Sequence, residues 1–300
     1  MEDLLFGVDL GGTKIEGVVL NPKGEVLSRQ RVPTEKEKGY EHIINQIKKV
    51  LSLITKEVGT TPHRLGIGTP GAIDPPTGLM KNSNTTILNG RPFKQDLQTA
   101  LGIPVRMAND ANCFAIAEAL LGAAKSYTQQ SHLVFGVIMG TGVGGGIVIN
   151  GQVWDGGQGI GGEWGHSFLD ESGGACYCGQ IGCVERILSG PSLERYYHSI
   201  SGQKKKLASI VEAYKNGTAD EYELATINRL IHFFGRGIAN VINILDPTVI
   251  VLGGGLSKID LLYTEGVASV EKFIFNPRLS TPIIPPQLGD SAGVFGAAML

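Results

Sequence analysis

His166 is followed at ten, twelve and seventeen residues by Cys176, Cys178 and Cys183. A single histidine is more often structural than a ligand, but three cysteines so close behind it change the balance. One His and three Cys make the donor set of a tetrahedral zinc site, and Gly179 and Gly182 allow the tight loop such a site needs. The chain has only one other cysteine, Cys113, which falls on an apolar helix and reads as buried and inert.

The second chemical feature is the glycine run Gly140-Thr141-Gly142-Val143-Gly144-Gly145-Gly146. Apolar β-branched segments flank it, Leu133–Ile138 before and Ile147–Ile149 after, so it reads as strand, turn, strand. Glycine lets backbone N–H groups close on an anion, which suits a polyphosphate. A dinucleotide fingerprint would have to open a helix, and here a strand and an Asn150-Gly151 turn follow. A plain hairpin is the bland alternative. Near the N-terminus the pattern recurs: Leu4–Asp9, then Leu10-Gly11-Gly12-Thr13-Lys14, then Ile15–Leu20 and another turn. A third pair, Leu65–Gly71 and Val249–Gly255, consists of apolar strands that end in glycine. The chain therefore reads as two related halves, each opening with a phosphate hairpin.

Asp110 is the third feature. The short strand Val105–Ala108 delivers Asn109-Asp110 to the mouth of a helix over Asn112–Ala124, whose only charged residue is Glu118. An Asp there is commonly an N-cap. A carboxylate at the end of an α/β strand also projects toward a ligand crevice.

Around these residues the elements are legible. An amphipathic helix spans 39–58 with Ile43, Ile44, Ile47, Val50, Leu51 and Ile54 inward. Helices are expected over 207–214, 220–245 and 261–275, and the small-residue tail 289–299 as a capped helix packing back on the first domain. The polar run 126–130 marks the boundary between halves. The small residues Gly68–Ala72 would let a ligand lie close to the backbone, whereas Lys81–Thr86 alone reads as a surface loop.

The 300 residues suit two domains, and a net charge of −2 leaves no basic footprint for nucleic acid or anionic membrane. No apolar run reaches the roughly 20 residues of a membrane helix, and the acidic start Met1-Glu2-Asp3 is unlike a signal peptide, so a cytoplasmic protein without disulfides is expected.

Two glycine hairpins, a strand–Asn-Asp–helix and a strand–Gly-Gly-Gly segment resemble the actin, hexokinase and heat-shock ATPase superfamily. With Asp9–Lys14, Glu163-Trp164-Gly165-His166 and the run Cys176 to Glu185, the chain resembles the ROK family of sugar kinases, repressors and open-reading-frame proteins from about residue 5 onward. Asn82-Ser83-Asn84-Thr85, Leu88-Asn89-Gly90 with Pro92-Phe93, and Asn109–Cys113 look most like fructokinases of the manno(fructo)kinase type.

The resemblance implies a two-domain α/β fold with a ribonuclease H-like core and an interdomain cleft. The small domain would be 1–120 joined by 289–300, and the large one 121–288 with the zinc loop. It implies Asp110 as the base that takes the proton of the attacking hydroxyl. Asn109, Glu163, His166 and Glu185, with Gly71 and Asn84, would hold the sugar, His166 using one ring nitrogen on zinc and the other on the sugar. ATP would lie on Gly11, Gly12, Thr13, Lys14, Gly140, Thr141, Gly142 and Gly144, its adenosine on Gly253, Gly254 and Gly255, with Asp9 near Mg2+. Zn2+ on His166, Cys176, Cys178 and Cys183 would be structural.

The expected activity is phosphorylation of the 6-hydroxyl of a hexose, fructose first. Glucose, mannose and the N-acetyl-hexosamines are the alternatives, and a sugar-responsive repressor is remote because no helix-turn-helix precedes the first hairpin. The family also implies a homodimer.

Overall fold

The computed structural model describes residues 4–127 and 132–300; the acidic start and residues 128–130 of the expected boundary lie outside them. The chain runs β1 (Leu5–Leu10), β2 (Lys14–Leu20), β3 (Val26–Pro33), α1 (Tyr40–Val58), β4 (Leu65–Thr69), β5 (Ala72–Ile73), β6 (Met80–Lys81), α2 (Phe93–Leu101), β7 (Val105–Asn109) and α3 (Asp110–Leu120). It continues through β8 (Leu133–Met139), β9 (Val143–Ile149), β10 (Gln152–Val153), α4 (Glu185–Leu188), α5 (Gly190–Ser201), α6 (Leu207–Lys215) and α7 (Glu221–Leu245). It closes with β11 (Val249–Gly253), α8 (Glu265–Glu271), β12 (Ile283–Ile284) and α9 (Ala292–Met299).

Two compact units result. One comprises Met1–Gln130, Gly146–Gly161 and Gln287–Leu300; the other comprises Ser131–Gly145 and Gly162–Pro286. Among the described residues there are two five-stranded sheets of the same plan, β3-β2-β1-β4-β7 and β10-β9-β8-β11-β12. In the first, β3, β2 and β1 pair antiparallel, and β1, β4 and β7 parallel. In the second, β10 and β9 are antiparallel, and β8, β11 and β12 parallel. The doubled hairpin legible in the sequence is thus doubled as topology.

Strand alternation decides what the first hairpin can do. Phe6, Val8, Leu10, Ile15 and Val19 point to one face and pack with Ile43, Ile47 and Ile54 of α1. Val18 and Leu20 point to the other, against Val294 and Ala298 of α9. Asp9 shares that second face and pairs across the ladder with Glu16. A side chain at Gly293 would begin 3.4 Å from Asp9 Oδ2. Small residues in α9 are therefore a packing requirement: Gly296 lies against the Cys113 carbonyl of α3, with no room for a Cβ.

Glu118 holds this arrangement. Its fully buried carboxylate accepts N–H groups from Gln287 (3.0 Å), Leu288 (2.8 Å) and Ala123 (2.8 Å). The segment leading into α9 is thereby tied to the end of α3. An uncompensated buried charge is costly, and three donors offset that cost.

Some elements differ from expectation. The helix at Asp110 ends at Leu120, not Ala124, because Gly122 follows with its backbone against Glu118. Residues 261–275 are not one helix: a 3-10 turn at Asp260–Tyr263 precedes α8, the break falling at Thr264 (φ −116°, ψ −84°). After α8, Asn243 of α7 accepts the Phe275 N–H and holds the chain in a turn. The tail has no side-chain cap; a 3-10 turn, Gly289–Ser291, leads straight into α9.

Candidate active site

In the first unit, parallel pairing of β4 with β7 sets Thr69 beside Asn109, and α3 begins at the next residue. The cap of α3 is Asn109, whose Oδ1 accepts the Asn112 N–H at 2.7 Å. Asp110 is therefore not the cap; its Oδ1 accepts the adjacent Ala111 N–H, at 2.9 Å. Along one edge Asp110 is exposed to solvent, while the protein gathered around its carboxyl group desolvates it and raises its pKa. Asp9 is raised too, to about 6, first by burial, then by the charges of Asp110 and Glu16, with Lys14 opposing. Two carboxyls with elevated proton affinity thus sit close enough to feel each other. Cys113 beside them is fully buried, its thiol pushed well up by desolvation, which leaves it inert as expected.

A cavity of about 450 Å³ opens next to these residues, and Gly71 and Asn109 both line it. Gly71 is forced by the fold: its φ is +82°, and a Cβ would meet the Lys81 carbonyl at 2.5 Å. Asn84 lies on a loop stitched from behind by Asn89, which accepts from Ser83 N at 2.9 Å and donates to Ser83 O at 3.0 Å. Asn84 is exposed there. Among the other polar residues that reach the cavity are Gln98, Asn112 and Asp155. The sequence signal for Asp155 was the glycine-rich stretch it opens.

The glycine turns differ in what they demand. A Cβ at Gly12 or at Gly255 would meet nothing within 4 Å, so packing does not require glycine there. Gly11 is tied to the turn by its N–H on the Lys14 carbonyl, 3.0 Å. In the second unit Gly140 accepts the Gly190 N–H at the start of α5, 2.9 Å, and Gly254 (φ +77°) lies on the Met139 backbone. The end of β11 and the β8–β9 turn are therefore neighbours.

The metal loop is anchored to that turn. Trp164 Nε1 donates to the Gly144 carbonyl at 2.9 Å, and Glu185 Oε2 accepts the Val143 N–H at 3.0 Å. Glu163 precedes the 3-10 turn Trp164–His166. His166, Cys176, Cys178 and Cys183 bring their ligand atoms within 4.8 Å of one another. Cys176 Sγ lies 3.8 Å from His166 Nδ1, and Cys178 Sγ 3.6 Å from Cys183 Sγ. Zinc bonds of about 2.0–2.3 Å in a tetrahedron separate ligand atoms by roughly 3.3–3.8 Å, so donor set and spacing fit zinc. With Nδ1 facing the cysteines, Nε2 faces outward, 3.1 Å from the Tyr177 hydroxyl. Tyr177, to which no pattern in the sequence assigns a role, stands between two ligands and is 80% exposed.

Geometry alone assigns no substrate, but the chain has clear relatives. The ROK family profile matches residues 5–300. The chain belongs to the ROK family. It is 36% identical over 307 residues to the N-acetyl-D-glucosamine kinase of Aliivibrio salmonicida, covering 99% of each chain. Its structure is similar to the ROK hexokinase of Thermus thermophilus, with TM-score 0.86, 32% identity, and 99% of this chain and 97% of that one covered. It is also similar to a ROK glucokinase from Streptomyces griseus in complex with glucose and AMPPNP: TM-score 0.75, 29% identity, 98% of each chain. The fold is the two-domain α/β hexokinase-like fold, and the activity these likenesses support is that of an ATP-dependent sugar kinase. The curated relative is named for N-acetyl-D-glucosamine, whereas the Asn82–Phe93 segment led to an expectation of fructose.

Proposed function

We propose that the protein transfers the γ-phosphoryl group of ATP to the 6-hydroxyl of a hexose, with N-acetyl-D-glucosamine the first candidate. The observation that carries the reaction is Asp110: a carboxyl raised by desolvation, open to solvent on one edge, and not used as the helix cap. A raised proton affinity makes a carboxylate a better proton acceptor, which is what a general base needs. Asp110 takes the hydroxyl proton, the sugar oxygen bonds to the γ-phosphorus, and the bridging P–O bond breaks to release ADP.

The chain's other residues position and neutralise. Asn109, Gly71, Asn84, Glu163, His166 and Glu185 are the residues proposed to hydrogen-bond the sugar hydroxyls. Gly11, Gly12, Thr13 and Lys14, and Gly140, Thr141, Gly142 and Gly144, present N–H groups and charge to the phosphates, while Gly253, Gly254 and Gly255 back the adenosine. Asp9 is placed to hold Mg2+, which would supply countercharge to the transferring group. Zinc on His166 and the three cysteines would fix the imidazole tautomer so that Nε2 donates outward, a positioning role.

Fructose stays as a second reading because Asn89 holds the Asn82–Asn84 turn so that Asn84 is presented outward. The deciding experiment is kcat/KM with ATP and magnesium for N-acetyl-D-glucosamine, N-acetyl-D-mannosamine, glucose, mannose and fructose. N-acetyl-D-glucosamine ranking first supports the proposal. Fructose ranking first replaces it with the second reading, and turnover of none removes the kinase assignment.

A further inference from the structure

The cavity beside Asn109 is larger than a sugar hydroxyl requires, and its walls are of two kinds. One side is carbon, from Ala72, Ile73, Pro75 and Met107. The other is polar, from residues that include Lys94, Gln95, Gln98, Asn112 and Asp155, and the last three are already oriented by the protein. Asn112 accepts the Ile147 N–H on Oδ1 (3.3 Å) and donates from Nδ2 to Asp155 Oδ1 (3.4 Å). That fixes the Asp155 carboxylate and leaves its second oxygen as an acceptor. Gln98 accepts the Val105 N–H on Oε1 (3.2 Å), so its Nε2 end is the donor. Both Asp155 and Gln98 line the cavity.

A planar amide bearing a methyl group matches these walls: one N–H, one carbonyl oxygen, one apolar end. A bare hydroxyl would leave the carbon wall facing water and use at most one of the polar groups. Lining by hydrophobic residues with a few placed polar groups is what a specific small-molecule pocket has.

We infer that this cavity is the subsite for the acetamido substituent of an N-acetyl-hexosamine, with Asp155 accepting its N–H, Gln98 facing its carbonyl, and Ala72, Ile73 and Met107 taking the methyl. The inference rests on the kinase reading above, which places the sugar ring on Asn109 and Gly71. It makes Asp155, a residue outside the catalytic set, a determinant of which sugar is preferred.

The test compares N-acetyl-D-glucosamine with glucose on the intact enzyme, by kcat/KM and by calorimetric binding of each sugar. Ala72→Ile fills the apolar wall, and Asp155→Leu removes the acceptor. Each should lower the ratio of N-acetyl-D-glucosamine to glucose kcat/KM by about 10-fold or more, within the range that a small pocket contact commands. Asp155→Asn, which still accepts, should keep most of the ratio, a distinction that a merely structural role would not make. Ratios unchanged in Ala72→Ile and Asp155→Leu, with glucose turnover showing that both fold, would overturn the subsite and leave the kinase assignment intact. A wild-type enzyme that binds glucose or fructose more tightly than N-acetyl-D-glucosamine would also overturn it. Loss of all turnover in the wild type would instead remove the kinase reading, and calorimetry would still report whether the acetamido sugar binds and whether Asp155→Leu abolishes it.

Discussion

Glu185 Oε2 accepts the backbone N–H of Val143 at 3.0 Å, so the residue two past the last cysteine is fastened to the first residue of the strand behind the second glycine turn. A Cβ at Gly142 would stand 2.6 Å from that same oxygen. The phosphate turn and the metal loop therefore share one carboxylate.

Altering that carboxylate should disturb two substrates together. Glu185→Ala removes a charge-assisted bond to a backbone donor, worth about 1.5–3 kcal/mol, and removes a proposed sugar ligand. KM for ATP should rise roughly 10-fold or more along with KM for the sugar. Gly142→Ala should raise KM for ATP while Glu185 remains present. A Glu185→Ala variant in which only the sugar KM moves would show that the Val143 bond carries no function.

The metal loop should hold one zinc per chain. Purified protein prepared without chelator is expected to give a zinc-to-protein ratio near one by elemental analysis, and Cys178→Ala to release it. Because ligands gathered from one loop are held together by the ion, the variant should melt at a lower temperature and bind sugar more weakly through His166. Metal-free protein with unchanged melting and unchanged sugar affinity would reject the assignment.

This loop was also the most legible part of the chain. Its four ligands fall within eighteen residues, and local spacing is what sequence displays. The hairpins were legible for the same reason, since strand, turn and strand are contiguous. Glu118 was not, because its partners at 287 and 288 are far along the chain, and a lone acidic residue on a helix gives no sign of buried donors. The part of Asp155 was hidden likewise, because its partner Asn112 lies 43 residues back along the chain. At Asn109-Asp110 either residue type caps a helix, so composition could not say which one was spent on the backbone.

Activity should depend on pH through Asp9. Its pKa is raised from 3.8 to about 6, so between those values the folded protein holds a proton that the unfolded chain has lost. This group's contribution to stability therefore falls as pH rises through that window. Its charged form, the one able to face magnesium, appears only above about 6. kcat/KM should climb between roughly pH 5 and 7, and added Mg2+ should raise the melting temperature more at pH 7 than at pH 5. A flat profile across that range, with no pH dependence of the magnesium effect, would remove Asp9 from the site.

Asp110 separates function from structure most cleanly. Since Asn109 caps α3 and Asp110 accepts from the N–H beside it, a bond that an amide oxygen can also accept, Asp110→Asn should leave the melting temperature nearly unchanged. The amide keeps the shape but cannot take a proton, so kcat should fall by about 10²–10⁴, the range general base catalysis commands. ATP binding should persist. Removing the Asp110 charge also removes one cause of the raised Asp9 pKa, so the Asp9 carboxyl, followed by NMR, should titrate lower in the variant. A slow, normally folded variant with that shift would place the base beside the Asp9 carboxylate. A variant with near-normal kcat would leave the transfer without its base, whatever Asp9 does.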